Sequence, residues 1–307
     1  MRAAVFDLGS NTFNLLIFES SGKGKYRILH RSELPVKIGK GSYVSRTIQP
    51  EAMDRGLTVL KEHFKAIKKW NPDIIKATGT AALRNAENAG EFLSQVKSTF
   101  GIDVELIDGN RESELIYKGV RLSYPFDIGN FIIVDIGGGS CEFIIAGHQH
   151  IHFQKSYDIG VSRILEQIAP HDPVSSDEVI AIEKLIDHEL HDLFDISTRH
   201  LVHTMIGASG SFETFTSMLF PEYEQLRRME HCHELDLSSL YQLYIGLLKS
   251  KEEDRMNMRG LPAMRVDTIV IASVLVNYII HKLRIRNLLQ SDFALKEGIM
   301  AELIKEQ

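Results

Sequence analysis

The sequence contains only two cysteines, Cys141 and Cys232, among 307 residues. Two cysteines cannot build a disulfide framework or a cysteine-rich zinc module, and this usage is typical of a protein in the reducing cytoplasm. Long apolar runs are also lacking, since the most apolar stretch, residues 269–280, is too short to span a bilayer. The chain begins with a strand-like segment and shows no signal-peptide pattern. We therefore expect a cytoplasmic protein without a membrane partner.

Positive charge is in short supply as well. The chain has 35 Lys and Arg against 41 Asp and Glu, a net charge of −6. General nucleic-acid binders usually carry a basic excess, so we expect no nucleic-acid partner. An anionic ligand is not excluded, because a local pocket can be positive inside an acidic protein. The remaining composition, 44% hydrophobic and 25% charged, is that of an ordinary globular protein, and the length predicts two domains.

Apolar strand-like runs alternate with helical periodicity along the chain, which predicts an α/β fold. The strongest feature is an internal repeat. Residues 7–12 and 135–140 each follow an apolar strand with Asp, an apolar residue and then small residues, and each precedes a second strand. The two aspartates, Asp7 and Asp135, lie 128 positions apart. We therefore predict a duplicated domain, residues 1–124 and 125–307, in which only the last helix would pack back on the first domain.

The repeated segment is a Gly/Ser-rich hairpin turn. Such a turn exposes backbone N–H groups and lets a phosphate approach the main chain closely. An aspartate at the end of each strand suits a divalent cation, which binds carboxylate and phosphate oxygens together. Either turn alone is more often a plain tight hairpin. The pair at matched positions is much more specific and predicts that a phosphate chain is bound from both sides.

At these positions the sequence resembles the exopolyphosphatase and guanosine pentaphosphate phosphatase family, within the actin-like, sugar kinase and Hsp70 ATPase superfamily. Further matching blocks follow in family order at residues 77–86, 107–120, 207–210 and 294–298. The resemblance covers essentially the whole chain. It implies two ribonuclease H-like domains with an interdomain active-site cleft. It also implies a short member of the family, because 307 residues leave no room for the C-terminal helical domain of the long members.

The resemblance implies hydrolysis of a terminal phosphoanhydride by an activated water. Glu112 matches the family's general base, although an acidic residue there also suits a helix N-terminus. Glu142 matches a carboxylate that orients the water or binds the cation, with an exposed strand residue as the alternative. Asp7, Asp135 and Glu142 would hold Mg²⁺ or another divalent cation. Arg84 matches an arginine that contacts phosphate, with a surface helix charge as the alternative.

The other candidate residues belong to three loops and are expected to bind phosphate. They are Ser10, Asn11 and Thr12 in the first turn, Gly138, Gly139 and Ser140 in the second turn, and Gly207, Ser209 and Gly210 in a third loop. Glu114 is a carboxylate that competes with Glu112 for the role of base, but the family usually has a non-acidic residue at that position.

Two groups of histidines are candidate metal ligands. His148, His150 and His152 alternate and would share one face of a strand. No carboxylate or cysteine has a helpful spacing to them, so a solvated sheet face is favoured over a zinc site. The segment 231–233, His-Cys-His, predicts a surface or helix-end segment rather than a metal site.

These observations together predict an exopolyphosphatase that releases orthophosphate from the end of inorganic polyphosphate. The alternative enzyme is a guanosine pentaphosphate 5′-phosphohydrolase, which applies the same chemistry to a guanosine polyphosphate substrate. A non-catalytic polyphosphate- or nucleotide-binding regulator is the third hypothesis. Carboxylates in the pocket argue against that hypothesis, because a pure binder of polyanions gains nothing from them. A homodimer is the default oligomeric expectation.

Overall fold

The computed structural model describes residues 1–22, 24–124, 129–147, 150–227 and 229–305. Their fold divides into two compact units, Met1–Leu122 with Ala294–Gln307, and Ser123–Phe293. The sequence also suggests a linker at residues 123–127; this segment begins at the division, and its last three residues lie outside the described ones. Residues 294–307, which the sequence-based division assigned to the second domain with a last helix packing back on the first, belong to the first unit. In the described ranges, none of the helices combines the length and apolarity that crossing a bilayer requires.

The secondary structure alternates strands and helices. The strands are β1 (Arg2–Leu8), β2 (Thr12–Gly22), β3 (Lys25–Pro35), β4 (Ile74–Gly79), β5 (Val104–Leu106), β6 (Phe131–Ile136), β7 (Cys141–Ala146), β8 (Ile151–Tyr157), β9 (Thr204–Ala208), β10 (Cys232–Leu235) and β11 (Asn287–Ser291). The helices are α1 (Pro50–Trp70), α2 (Ala81–Asn85), α3 (Ala89–Phe100), α4 (Gly109–Ser123), α5 (Val161–Ile168), α6 (Ser176–Glu189), α7 (His191–Arg199), α8 (Ser209–Leu219), α9 (Tyr223–Leu226), α10 (Leu237–Lys249), α11 (Glu252–Met256), α12 (Ile269–Leu283) and α13 (Leu295–Lys305).

The first unit is built on a five-stranded sheet in the order β3-β2-β1-β4-β5. The first three strands form an antiparallel meander, and β4 runs parallel to β1. Helix α1 has Pro50 in its first turn and ends where Asn71 adopts a left-handed φ of 44°. Its buried residues, including Leu60 and Ile67, pack against the apolar side chains of the sheet. This packing follows from the three- and four-residue apolar spacing of α1.

The second unit repeats this plan. Its sheet has the order β10-β11-β9-β6-β7-β8. Strands β6, β7 and β8 form the antiparallel meander, β9 runs parallel to β6, and β11 runs parallel to β9. Strand β10 adds an antiparallel edge beside β11. The prediction of a duplicated α/β fold with one motif hairpin in each half is therefore confirmed.

After residue 210 the described chain is mostly helical and contains two short strands, β10 and β11. The segment 231–233 does not end a helix, because Cys232 and His233 lie on the edge strand β10 and pair with β11. The side chain of His233 is only 8% exposed. On β8, by contrast, His152 is exposed, as the solvated-face prediction requires. His148 lies outside the described residues.

Candidate active site

The two motif turns have the same backbone hydrogen bond. The N–H of Gly9 donates to the carbonyl of Thr12 at 3.0 Å, and the N–H of Gly137 donates to the carbonyl of Ser140 at 3.0 Å. A Cβ atom on either glycine would lie 2.9 Å from that carbonyl oxygen. Any side chain would therefore disturb the turn, which explains the glycine that follows each Asp-apolar pair. The 128-residue repeat extends to individual hydrogen bonds.

Each turn accepts backbone hydrogen bonds from the segment that follows the third strand of its meander. In the first unit, the carbonyl of Asn11 accepts the N–H of Lys37 at 2.9 Å. In the second unit, the carbonyl of Gly138 accepts the N–H of Ser162, in the first turn of α5, at 3.0 Å. A Cβ on Gly160 would lie 2.4 Å from the backbone of Gly138. This close approach fixes the second turn against the start of α5.

The aspartate of each motif faces a polar side chain on the neighbouring strand. Asp7 pairs with Asn14 across β1 and β2, and Asp135 pairs with Glu142 across β6 and β7. The amide of Asn14 donates to Asp7 at 2.9 Å. Desolvation raises the pKa of Asp7 to about 6, against the opposing effects of Asn14 and Lys296. Asn14 therefore occupies the position in the first repeat that Glu142 occupies in the second.

Glu142 is buried, so the alternative of an exposed strand residue is wrong. Its side chain is 2% exposed, and Oε1 accepts hydrogen bonds from Ser140 Oγ at 2.6 Å and Ser156 Oγ at 2.7 Å. A serine hydroxyl has a single proton to donate. In this arrangement Ser140 orients Glu142 through its side chain instead of donating that proton to a phosphate. Ser156 was not predicted, because it lies on the next strand and no local motif marks it.

Glu112, which is buried, and Arg84, which is partly buried, form an ion pair in the first unit. Nη1 of Arg84 donates to Glu112 Oε2 at 2.8 Å and to the carbonyl of Ile107 at 2.9 Å. The two side chains are 20% and 8% exposed, so the surface-charge alternative for Arg84 is wrong. Helix capping is performed by Asp108, whose carboxylate accepts the N–H of Arg111 at 2.7 Å. Nε and Nη2 of Arg84 bond to no acceptor among the described residues.

The competing carboxylate, Glu114, belongs to a different network. It accepts a hydrogen bond from Arg111 at 3.1 Å and one from Lys118. Both cations also bind Glu302 on α13, Arg111 at 2.5 Å through Nη2 and Lys118 at 2.7 Å. These bonds lower the pKa of Glu114 although partial burial opposes them. Glu114 therefore helps to attach α13 to α4, and Glu112 is the better candidate base.

The third predicted loop joins β9 to α8 and reaches the aspartate of the second motif. Ser209 has a left-handed φ of 64°, and its hydroxyl donates to Asp135 Oδ2 at 2.7 Å. A Cβ on Gly207 would lie 2.0 Å from the ring of Phe212, and one on Gly210 would lie 1.7 Å from the guanidinium of Arg265. The absence of a side chain at Gly210 thus lets an arginine cover the loop. Sequence reasoning missed this arginine, which follows 55 residues later.

A second unpredicted arginine lies beside the second turn. Nε of Arg163 donates to the carbonyl of Gly139 at 2.9 Å, and its Nη2 binds Asp158 at 2.9 Å. Its side chain is 18% exposed. The guanidinium therefore stabilises the backbone of the glycine turn, in addition to the hydrogen bonds from the first turn of α5.

Two of the three predicted metal ligands, Asp135 and Glu142, have the chemistry of ligands for a cation that also binds substrate phosphates. Among the described residues, no group of three or more His, Cys, Asp or Glu side chains is suited to hold a metal ion. In the second unit, Asp135 and Glu142 face each other on paired strands, and Asp7 belongs to the first unit. Two hard carboxylates suit Mg²⁺, which usually keeps several waters and binds one or two carboxylates together with substrate phosphates.

The fold and the site define an α/β protein built from two copies of one strand-turn-strand plan. The chain belongs to the Ppx/GppA phosphatase family, whose model matches residues 16–307.

Relatives carry both of the names expected for this family. A guanosine-5′-triphosphate,3′-diphosphate pyrophosphatase of Aeromonas salmonicida is 26% identical over 305 residues, which cover 98% of this chain and 59% of that protein. Exopolyphosphatase 2 of Mycobacterium tuberculosis is 24% identical over 314 residues, with 98% of each chain covered. The solved exopolyphosphatase of Cytophaga hutchinsonii is 30% identical, has a TM-score of 0.95 and covers 100% of this chain and 98% of its own. This chain thus spans 59% of the length of the Aeromonas relative.

Proposed function

We propose that the protein is an exopolyphosphatase that hydrolyses the terminal phosphoanhydride of inorganic polyphosphate and releases orthophosphate. The observation that carries the proposal is the buried carboxylate of Glu112, fixed by Arg84 at 2.8 Å. The relatives named exopolyphosphatase, which align with nearly the whole of this chain, support the choice of substrate. The free cysteines, Cys141 and Cys232, support a cytoplasmic location.

Substrate binding would use main-chain groups and one guanidinium. In the proposal, the turns at residues 9–12 and 137–140 and the loop at 207–210 donate hydrogen bonds to phosphate oxygens. Arg84 would bind a phosphoryl oxygen through Nε or Nη2, since its Nη1 already serves Glu112 and Ile107. One guanidinium would then bind the substrate and position the base.

The chemical step would transfer the terminal phosphoryl group to a water molecule. Glu112 would accept a proton from this water while the oxygen attacks phosphorus. The bridging P–O bond would break, orthophosphate would form, and the shortened chain would leave with the bridging oxygen. A divalent cation, when bound, would neutralise negative charge on the phosphates. Asp135 and Glu142 would hold it, and Ser140 and Ser156 would fix the orientation of Glu142.

The test is phosphate release from polyphosphate of defined length, with and without Mg²⁺. Glu112→Gln keeps the shape of the side chain but cannot accept the proton, so we expect kcat to fall by about 10²-fold or more. Glu114→Gln is the matched control, because it lies two residues away on the same helix and should retain most activity. Full activity of Glu112→Gln would refute the assignment of the base. An inert wild-type protein would refute the proposed substrate.

A second substrate is favoured by one finding, the 26% identity to a guanosine-5′-triphosphate,3′-diphosphate pyrophosphatase. The same residues would act on a guanosine polyphosphate, because the broken bond is also a phosphoanhydride. Side-by-side assays of short polyphosphate, long polyphosphate and guanosine pentaphosphate separate the two candidates. Activity on the nucleotide alone would replace the exopolyphosphatase proposal. Tight polyphosphate binding without turnover would indicate a regulator instead.

A further inference from the structure

A cavity of about 420 Å³ lies in the second unit between α10 and α12. Its floor is apolar and consists of buried side chains such as Phe215, Leu240 and Val276. The volume is within the range of pockets that hold a small molecule, roughly 300–1,000 Å³. The cavity is therefore large enough for a ligand with a fused or linked pair of aromatic rings.

The cavity is remote from the candidate active site within this unit. Strands β6, β9 and β11 run in the same direction. The glycine turn follows the carboxyl end of β6, whereas Arg284, Ile285 and Arg286, which line the cavity, precede the amino end of β11. The five residues of β11 span about 16 Å. The cavity thus belongs to the opposite end of the sheet.

The charge of the lining is opposite to that of the chain. Arg284, Arg286 and His281 line the cavity, and the described lining includes no aspartate or glutamate. The protein as a whole has 41 acidic against 35 basic residues. The two arginine side chains make no hydrogen bond or ion pair with any residue that the structure describes. The lining is therefore complementary to an anion.

Aromatic and polar groups add specificity to the lining. The rings of Tyr241 and Tyr244 lie 6.0 Å apart, and Tyr241 meets His281 edge-on at 6.3 Å. Within the described ranges, neither the amide of Asn277 nor the hydroxyl of Tyr244 has a hydrogen-bond partner. Tyrosine faces favour an aromatic guest, and the amide and hydroxyl can bond to its polar atoms.

We propose that this cavity binds a small aromatic anion, with the rings between α10 and α12 and the anionic group on Arg284 and Arg286. Two sources share this chemistry, an aromatic carboxylate and a nucleoside monophosphate. The proposal concerns binding in the second unit alone, so it stands or fails independently of the proposed hydrolysis.

The experiment titrates the full-length protein with 8-anilinonaphthalene-1-sulfonate, whose fluorescence rises in an apolar site. We expect saturable binding at one site per chain. The neutral analogue N-phenyl-1-naphthylamine has the same rings without the sulfonate, so it should bind at least tenfold more weakly. Competition by 2-naphthoate or by guanosine 5′-monophosphate would each support the proposal and would distinguish the two sources.

Two pairs of substitutions decide between the cavity and general charge attraction. Arg284→Gln with Arg286→Gln should raise the Kd of the dye at least tenfold. Arg199→Gln with Arg259→Gln is the control, because it removes the same charge from two exposed arginines outside the cavity lining. All four positions are exposed, so both variants should fold, which circular dichroism would verify. An equal Kd for the two variants, or equal affinity for the neutral analogue, would overturn the proposal.

Discussion

The ion pair between Arg84 and Glu112 leads to a quantitative prediction about the first unit. Arg84→Gln removes the guanidinium that Glu112 Oε2 contacts at 2.8 Å. The carboxylate, 8% exposed at its side chain, then keeps its charge without its partner. Removing one member of a buried pair typically costs 3–5 kcal/mol, because it leaves a buried charge uncompensated. Since Arg84 is 20% exposed, we expect the lower end, about 3 kcal/mol.

A double-mutant cycle isolates this interaction. Glu112→Gln alone should cost about 1 kcal/mol, since a neutral amide oxygen still accepts a hydrogen bond from Arg84. In the double variant neither charge of the pair remains. Arg84→Gln should therefore lower the free energy of unfolding less in the Glu112→Gln background than in the wild type. We expect a coupling free energy of about 2 kcal/mol, within the range measured for contacting residues.

The assay uses the only tryptophan of the chain, Trp70, which lies at the end of α1 in the first unit. Its fluorescence during urea unfolding therefore reports on the unit that contains the pair. Arg27→Gln is the control in the same unit. Arg27 and its partner Glu19 are 74% and 39% exposed, and an exposed pair contributes at most about 1 kcal/mol. A coupling below about 0.5 kcal/mol, or equal destabilisation by Arg84→Gln and Arg27→Gln, would refute the reasoning.

Two further predictions concern the second unit. Ser156→Ala removes one of the two hydroxyls that donate hydrogen bonds to Glu142. Steady-state assays of phosphate release should give a kcat about tenfold lower, which corresponds to about 1.4 kcal/mol. The KM should be nearly unchanged. Ser156→Thr should restore activity if the hydroxyl positions Glu142, and wild-type kcat in Ser156→Ala would contradict that role. Burial opposes ionisation of Asp292, but His231 at 3.5 Å and the hydroxyl of Tyr223 lower its pKa to about 2. Because this pKa lies below the unfolded value of 3.8, the carboxylate contributes about 2 kcal/mol above pH 4, which is lost as the pH falls towards 2. Urea unfolding followed by circular dichroism measures the free energy of unfolding at each pH. Between pH 5 and pH 2.5 this free energy should fall by about 1.5 kcal/mol more in the wild type than in Asp292→Asn. Equal decreases in the two proteins would exclude this linkage.

The motif hairpins were predictable because their determinants are local. The bond from Gly9 to Thr12 spans three residues, and so does the bond from Gly137 to Ser140. The constant offset of 128 residues also predicts the cross-strand partner of Asp7, which the sequence analysis did not name. It aligns Asn14 with Glu142, so the cross-strand partner of Asp7 could have been named in advance.

The parts that sequence reasoning missed depend on long-range contacts. Strand β10 exists because Cys232 pairs with Ser291 on β11, and neither segment has a strong strand pattern by itself. The sequence analysis expected the last helix to pack on the first domain, but it did not identify the contact, which depends on two glycines. A Cβ on Gly119 would lie 1.9 Å from the carbonyl of Ala294, and one on Gly298 would lie 1.9 Å from the carbonyl of Leu115. This backbone-to-backbone packing of α4 and α13 leaves no periodic signal in the sequence.

The two repeats have kept the turn and diverged at one chemically decisive position. In the first repeat Asn14 donates a hydrogen bond to Asp7, and in the second the matching residue, Glu142, accepts bonds from two serines. An amide can position a carboxylate but cannot add negative charge for a cation. Within the proposed mechanism, the first repeat therefore binds phosphate and the second also binds the cation. In the same proposal the general base comes from neither turn but from α4, where Arg84 holds Glu112. In this proposal, duplication accounts for phosphate binding, and residues outside the duplicated turn account for hydrolysis.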